Sequence, residues 1–228
     1  MSPSKPPTDP FRSARLIYRA VDTPGDNALF SAINDDRAGY VNSNAKNITL
    51  PGTADAQRYQ KYVVDDTLLG AVICLPSAST SNLTSDERKD VEDRDLENTA
   101  RRVPEAGIPI GVVHLSALSL RMTHHRNTEI AIDVLPAYQG KGYGSEAITW
   151  ALDYAFRRAG LHRVSVRAFE WNEGAVRLYE RLGFKHEGRG RETLWHEGRW
   201  WDGIEMGMLD REWWAMRERK EEVIARIN

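Results

Sequence analysis

The stretch Asp133-Val-Leu-Pro-Ala-Tyr-Gln-Gly-Lys-Gly-Tyr-Gly-Ser-Glu146 decides how this chain is read. A strand, Ile130 to Leu135, runs into Pro136, and glycines then fall at alternate positions, Gly140, Gly142 and Gly144. A helical stripe of Ala147, Ile148, Ala151, Leu152 and Ala155 follows at once. Strand, glycine loop and helix start together form a device for holding a phosphate. Glycines let successive backbone N–H groups turn into one concavity, and the first helical turn adds unpaired N–H groups and the positive end of its dipole. Gln139 and Lys141 place a polar and a cationic side chain beside it.

Two better-known phosphate loops do not fit. Gly140-x-Gly142-x-Gly144 lacks the final x-x-Gly of the dinucleotide fingerprint, and no Gly-Lys-Ser/Thr ends the loop as in a Walker motif. A glycine-rich strand-to-helix turn without a ligand is the plain alternative.

The chain has 228 residues, 41% hydrophobic and 28% charged, with a net charge of −2. That is enough for one soluble domain with a real core. Balanced charge argues against a nucleic-acid binder that relies on bulk basicity. The lone Cys74 can form no internal disulfide and reads as core filling. The Ser/Pro-rich start shows no signal peptide and no run approaches a membrane span. The expected location is intracellular, in the cytoplasm, with no membrane partner.

Along the chain, residues 1–11 read as a flexible lead-in and 12–228 as a single domain. Ala14–Val21 reads as a strand, Asn27–Asn34 and Pro51–Asp65 as helices, and Leu68–Leu75 as a strand. The Ser/Thr cluster and charge run of 77–107 cannot bury much and read as a solvated insertion, with a partner-docking arm as the alternative. Ile108–Leu120 and Glu129–Leu135 flank a polar turn and form a hairpin. Next come a helix over Ser145–Ala159, a strand over Arg163–Phe169 and a helix over Asn172–Leu182. A hairpin of Phe184–Leu194 with Arg199–Leu209 and a last helix over 210–228 complete the order β-α-α-β-β-β-α-β-α-β-β-α, an α+β arrangement with helices on both faces of one sheet.

The ordered motifs carry a resemblance. Gln139-x-x-Gly142-x-Gly144 after a strand is followed, past one more strand, by Asn172-Glu-Gly-Ala-Val-Arg-Leu-Tyr179-Glu-Arg-Leu-Gly-Phe184 and then by Glu197-Gly-Arg-Trp-Trp-Asp202. This order resembles the GNAT N-acetyltransferases over roughly residues 108–214, and the final hairpin resembles the RimJ/RimL-type branch. The resemblance implies a mostly antiparallel twisted sheet with a splayed strand pair. It also implies acetyl-CoA as co-substrate, transfer to a primary amine by direct attack in a ternary complex, and no metal.

Residue by residue, the resemblance implies that backbone amides of Gln139, Gly140, Lys141, Gly142, Tyr143 and Gly144, with the helix start at Ser145, take the pyrophosphate. The pantetheine would lie along Ile132, Asp133 and Val134, with a backbone N–H near Val134 as oxyanion donor. Tyr179 matches a tyrosine set near the sulfur, where a phenol can protonate a leaving thiolate; the alternative is a core aromatic in line with Val176 and Leu182. Asn172 matches an asparagine that bonds the cofactor, and is equally able to cap its helix.

Glu129, Ala131 and Asp133 share one strand face, so Glu129 is the first candidate for the base and Asp133 the second. The alternative for Glu129 is an ion pair with Arg121 or Arg126 across the hairpin. The six histidines show no zinc spacing. Trp200-Trp201 and Trp213-Trp214 can each bury one member, and the other invites a contact surface such as a homodimer. Acceptors left open are a protein N-terminus, a polyamine, an amino sugar or a small drug. The rival readings are an acyl-CoA-binding sensor without turnover and a transferase using another acyl donor.

Overall fold

A computed structural model describes residues 9–45, 50, 52–76 and 107–227. The insertion read over 77–107 lies outside them save for Gly107, and so does the lead-in up to Thr8. The strands are β1 (Ile17–Arg19), β2 (Thr67–Leu75), β3 (Ile108–Ser116), β4 (Asn127–Val134), β5 (Arg163–Phe169), β6 (Lys185–His196) and β7 (Arg199–Leu209). The helices are α1 (Asn27–Asp35), α2 (Arg37–Ser43), α3 (Thr53–Asp65), α4 (Tyr143–Asp153), α5 (Glu173–Leu182) and α6 (Asp210–Ile227).

All strands join one seven-stranded sheet in the order β1-β2-β3-β4-β5-β7-β6. Every neighbouring pair is antiparallel except β4–β5, which is parallel. Helices cover both faces. On one, Ala147, Ile148, Ala151 and Leu152 of α4 pack with Val113, Leu115 and Ile130. On the other, Leu29 and Phe30 of α1 and Ala56 and Val63 of α3 pack on Val72, Cys74 and Val112. Each fully buried side chain such as Leu152 stabilises the fold by ~1.5–3 kcal/mol relative to exposure.

The first strand is shorter than expected, and a third early helix, α2, was not visible in the sequence. It buries none of its residues, so it has no apolar stripe, and the Asp36 carboxylate starts it by accepting from the Gly39 N–H at 3.1 Å. The helix expected over Ser145–Ala159 begins two residues earlier and changes at Tyr154–Arg158 into a π-helical turn, closed by Gly160 at φ 63°. Of the paired tryptophans, Trp213 is buried against Phe156 while Trp214 and Trp200 are exposed.

His114 on β3 sits edge-on to the rings of Tyr59 and Tyr62, and its buried Nδ1 meets no partner among the described residues. Burial pulls its pKa down to about 4. The unfolded chain therefore binds this proton more readily than the folded one. The contribution is complete above the ordinary histidine value and is lost as the pH falls toward 4. Between those limits His114→Gln should flatten the pH dependence of unfolding free energy by up to about 1.4 kcal/mol per pH unit. Urea titrations at several pH values measure this; an unchanged slope would refute it.

Candidate active site

The glycine loop is built as its composition demands. Gly140 and Gly142 take φ of 72° and 81°, a region that disfavours side chains, and Gly142 is the N-cap of α4. Among the described residues the backbone N–H groups of Lys141 to Ser145 have no acceptor, as expected where a helix begins. Gln139 is placed differently. Its N–H bonds the Pro136 carbonyl at 3.2 Å and its side-chain amide donates to the Val134 carbonyl at 2.8 Å, so it braces the loop against β4. Lys141 likewise turns its ammonium back to the Ala137 carbonyl at 2.8 Å.

A residue from far upstream holds the other side. Arg15 donates from its backbone N–H and its Nε to Glu146, each at 2.7 Å, and from Nη1 to the Lys141 carbonyl at 3.1 Å. Its guanidinium lies over the Tyr143 ring at 4.8 Å. Ser13 completes the tie by donating to Glu146 at 2.7 Å. These contacts pull the carboxyl of Glu146 below its ordinary range, against the opposing effect of its partial burial.

The strand leading to the loop is open on one side. β4 pairs with β5 only over Asn127–Glu129, whereas β3 accompanies it to Val134. Leu135 N–H donates to Ile110 on β3. By alternation the backbone groups of Ile132 and Val134 face away from β3, toward the gap left by β5. The side chains of Ile132 and Val134 lie toward Gly144 of α4, and Asp133 points to the opposite face.

Three elements supply the polar groups of the site. Tyr59 of α3 donates its hydroxyl to Asp133 Oδ2 at 2.6 Å. Burial raises the Asp133 pKa, the Tyr59 hydrogen bond opposes that, and the charge of Asp36 adds to it. Glu129 is ion-paired to Arg167 of β5, Nε to Oε1 at 2.8 Å. The partner expected for it was Arg121 or Arg126 in the turn; the parallel β4–β5 contact puts Arg167 within reach instead. Tyr179 of α5 is buried, only 8% exposed, with Phe184 against its ring. Its phenol is pushed up to about 12, first by burial and then by the charges of Asp133 and Glu129, and it makes no hydrogen bond among the described residues. Asn172 caps α5 by accepting from Ala175 N–H at 3.2 Å and donates to the Asn42 carbonyl at 3.4 Å, joining α2 to this wall.

The sequence pattern of the Acetyltransferase (GNAT) family matches residues 74–184, which contain the loop, the open strand and Tyr179. Those residues, just under half of the chain, carry the pattern of the GNAT acetyltransferase family. The solved spermidine N-acetyltransferase of Vibrio cholerae, in complex with CoA and spermine, superposes with a TM-score of 0.63 at 24% identity over 88% of this chain and 99% of that one. The GNAT fold thus extends well beyond the matched segment. In sequence, the spermidine N(1)-acetyltransferase of Vibrio cholerae serotype O1 is 37% identical over 100 residues, 44% of this chain and 56% of that protein. The putative ribosomal N-acetyltransferase YdaF of Bacillus subtilis is 31% identical over 113 residues, 47% of this chain and 62% of that protein. The chain spans about half the length of the curated relatives it matches.

GNAT enzymes take acetyl-CoA as the acyl donor, and the residues present fit it. The unpaired loop amides suit a diphosphate, and the half-empty edge of β4 suits an amide-bearing arm that can pair as a strand does. Among the described residues no group of three His, Cys, Asp or Glu could hold a metal ion, and no helix is long and apolar enough to cross a membrane. Arg15, Asp36, Tyr59 and His114 were missed by sequence reading. Only Glu146, an acidic residue in the first turn of a phosphate-loop helix, hinted that a cation must be nearby.

Proposed function

We propose that this GNAT chain, read as one domain over 12–228, transfers the acetyl group of acetyl-CoA to a primary amine of a polyvalent cation of the polyamine class. One observation carries the reading: the charges of Asp133 and Glu129 both act on the buried phenol of Tyr179, and that of Asp36 acts on Asp133. Carboxylates on one wall attract and orient ammonium groups, and the low dielectric of the cleft strengthens that attraction. The likeness to spermidine acetyltransferases supports the same acceptor.

In this reading the amides of Lys141 to Ser145 hold the diphosphate. The Val134 N–H, on the open side of β4, meets the carbonyl oxygen as it gains charge. Tyr179 gives its proton to the departing sulfur. Attack is direct, since among the described residues no Ser or Cys beside Asp133, Glu129 or Tyr179 is paired with a base, and the Ser13–Glu146 contact serves the loop. Self-association through the exposed Trp195 and Trp200 belongs to the same proposal, and light scattering would test it.

A second reading, a peptide N-terminus as acceptor in a RimJ/RimL-type enzyme, is favoured by the match to YdaF and by the Trp200-Trp201-Asp202 hairpin. Thiol release from acetyl-CoA in the presence of spermidine or of a peptide with a free N-terminus separates them. We expect release that depends on spermidine. Faster release with peptide would transfer the assignment to the second reading. CoA bound without release by either would make the chain a sensor.

A further inference from the structure

We infer that Asp133 is the group that takes the proton from the incoming ammonium, and that Tyr59 is the positioning residue that aims it. This deepens the acetyl-transfer reading and rests on it. The first-choice base from sequence, Glu129, is committed elsewhere: Arg167 Nε holds its Oε1 at 2.8 Å. Asp133 has no such partner. Among the described residues no cation pairs with it, and its one side-chain hydrogen bond is the 2.6 Å contact from the Tyr59 hydroxyl to Oδ2. Oδ1 is left for a proton.

The aim is fixed by packing. The Tyr59 ring packs edge-on against Phe30 at 5.5 Å and His114 at 6.0 Å, which holds the ring with its hydroxyl at β4. Every element around Asp133 contributes a group of known charge. Asp36 on α2 repels its ionised form, Tyr59 on α3 favours it, and His114 on β3 is kept neutral by burial. Glu129 on β4 is ion-paired with Arg167 of β5, and Tyr179 on α5 stays protonated. Burial and Asp36 outweigh the hydrogen bond, so the carboxyl titrates above its ordinary value, nearer the pH at which it must work.

The proton count closes. One proton passes from the ammonium nitrogen to Asp133 Oδ1, and the freed lone pair forms the C–N bond. The C–S bond breaks as Tyr179 protonates the sulfur. The second nitrogen proton returns to the phenolate, and Asp133 releases its own to solvent.

The test follows the Asp133 side-chain carbon by 13C NMR across pH in the full chain, beside the pH profile of kcat/KM for spermidine with acetyl-CoA. Asp133 should titrate together with the acidic limb of that profile. Tyr59→Phe should move both upward by about one pH unit, because a hydrogen bond that favours the ionised form is gone, with KM for acetyl-CoA unchanged. Asp133→Asn should lower kcat about 100-fold and remove the limb, CoA affinity and thermal midpoint being retained, and Asp133→Glu should restore part of the rate. An ordinary Asp133 titration, or a limb that survives in Asp133→Asn, overturns the assignment while leaving acetyl transfer intact. No turnover of any amine by the wild-type chain overturns acetyl transfer, and the base falls with it.

Discussion

Gly142→Glu should weaken CoA binding by at least about 100-fold, measured by calorimetry on the purified protein. Two costs combine. Gly142 sits at φ 81°, where a side chain costs about 1–2 kcal/mol. The new carboxylate also enters a concavity whose unpaired amides are suited to an anion, and a hydrogen bond to a charged ligand is worth about 1.5–3 kcal/mol. A 100-fold loss corresponds to about 2.8 kcal/mol, within reach of either cost with part of the other. The nearest atom to a Cβ at this site is Arg15 Nη2 at 3.3 Å, so the added acid can also draw Arg15 from Glu146 and loosen the loop. Gly142→Ala carries the backbone cost alone and should fall between. Near-normal affinity in Gly142→Glu would place the diphosphate elsewhere on the molecule.

Tyr179→Phe should lower kcat by about 100-fold, the lower end of what a positioned acid contributes, and leave KM for acetyl-CoA within a few-fold. The ring is buried against Phe184, and phenylalanine keeps that packing. Removing a hydroxyl that bonds nothing among the described residues leaves no partner unsatisfied, so stability should hold. The loss then belongs to the step in which sulfur departs. A variant with unchanged kcat would make Tyr179 a packing residue, as its place in line with Val176 and Leu182 also allows. A poorer thiol leaving group would widen the gap between wild type and variant, because a stronger base needs the proton more.

What was legible in the sequence follows the range of the forces involved. β5 starts and ends where alternation placed it, at Arg163–Phe169, because a half-buried strand writes its period into adjacent residues, and β7 spans Arg199–Leu209 as the hairpin reading placed it. The loop was legible because positive φ requires glycine at Gly140 and Gly142. α2 was not, since a short helix with no buried face leaves only its cap, Asp36. The partners in the site were least visible. Arg15 reaches Glu146 across 131 positions and Tyr59 reaches Asp133 across 74, and nothing local marks such a pair. Arg167 was overlooked for the same reason. The hairpin made Arg121 and Arg126 the obvious neighbours of Glu129, while the parallel contact that brings Arg167 in depends on a crossover through α4. Composition announces which chemistry is present; the topology chooses who meets whom.

The tie between Ser13, Arg15 and Glu146 gives the beginning of the described chain a task at its middle. Trp150 adds a further stitch by donating its indole N–H to the Pro10 carbonyl at 2.9 Å. Trimming the protein back past Arg15 would therefore unfasten the front turn of a helix more than a hundred residues away, and a fusion tag joined close to Pro10 would tug on the same knot.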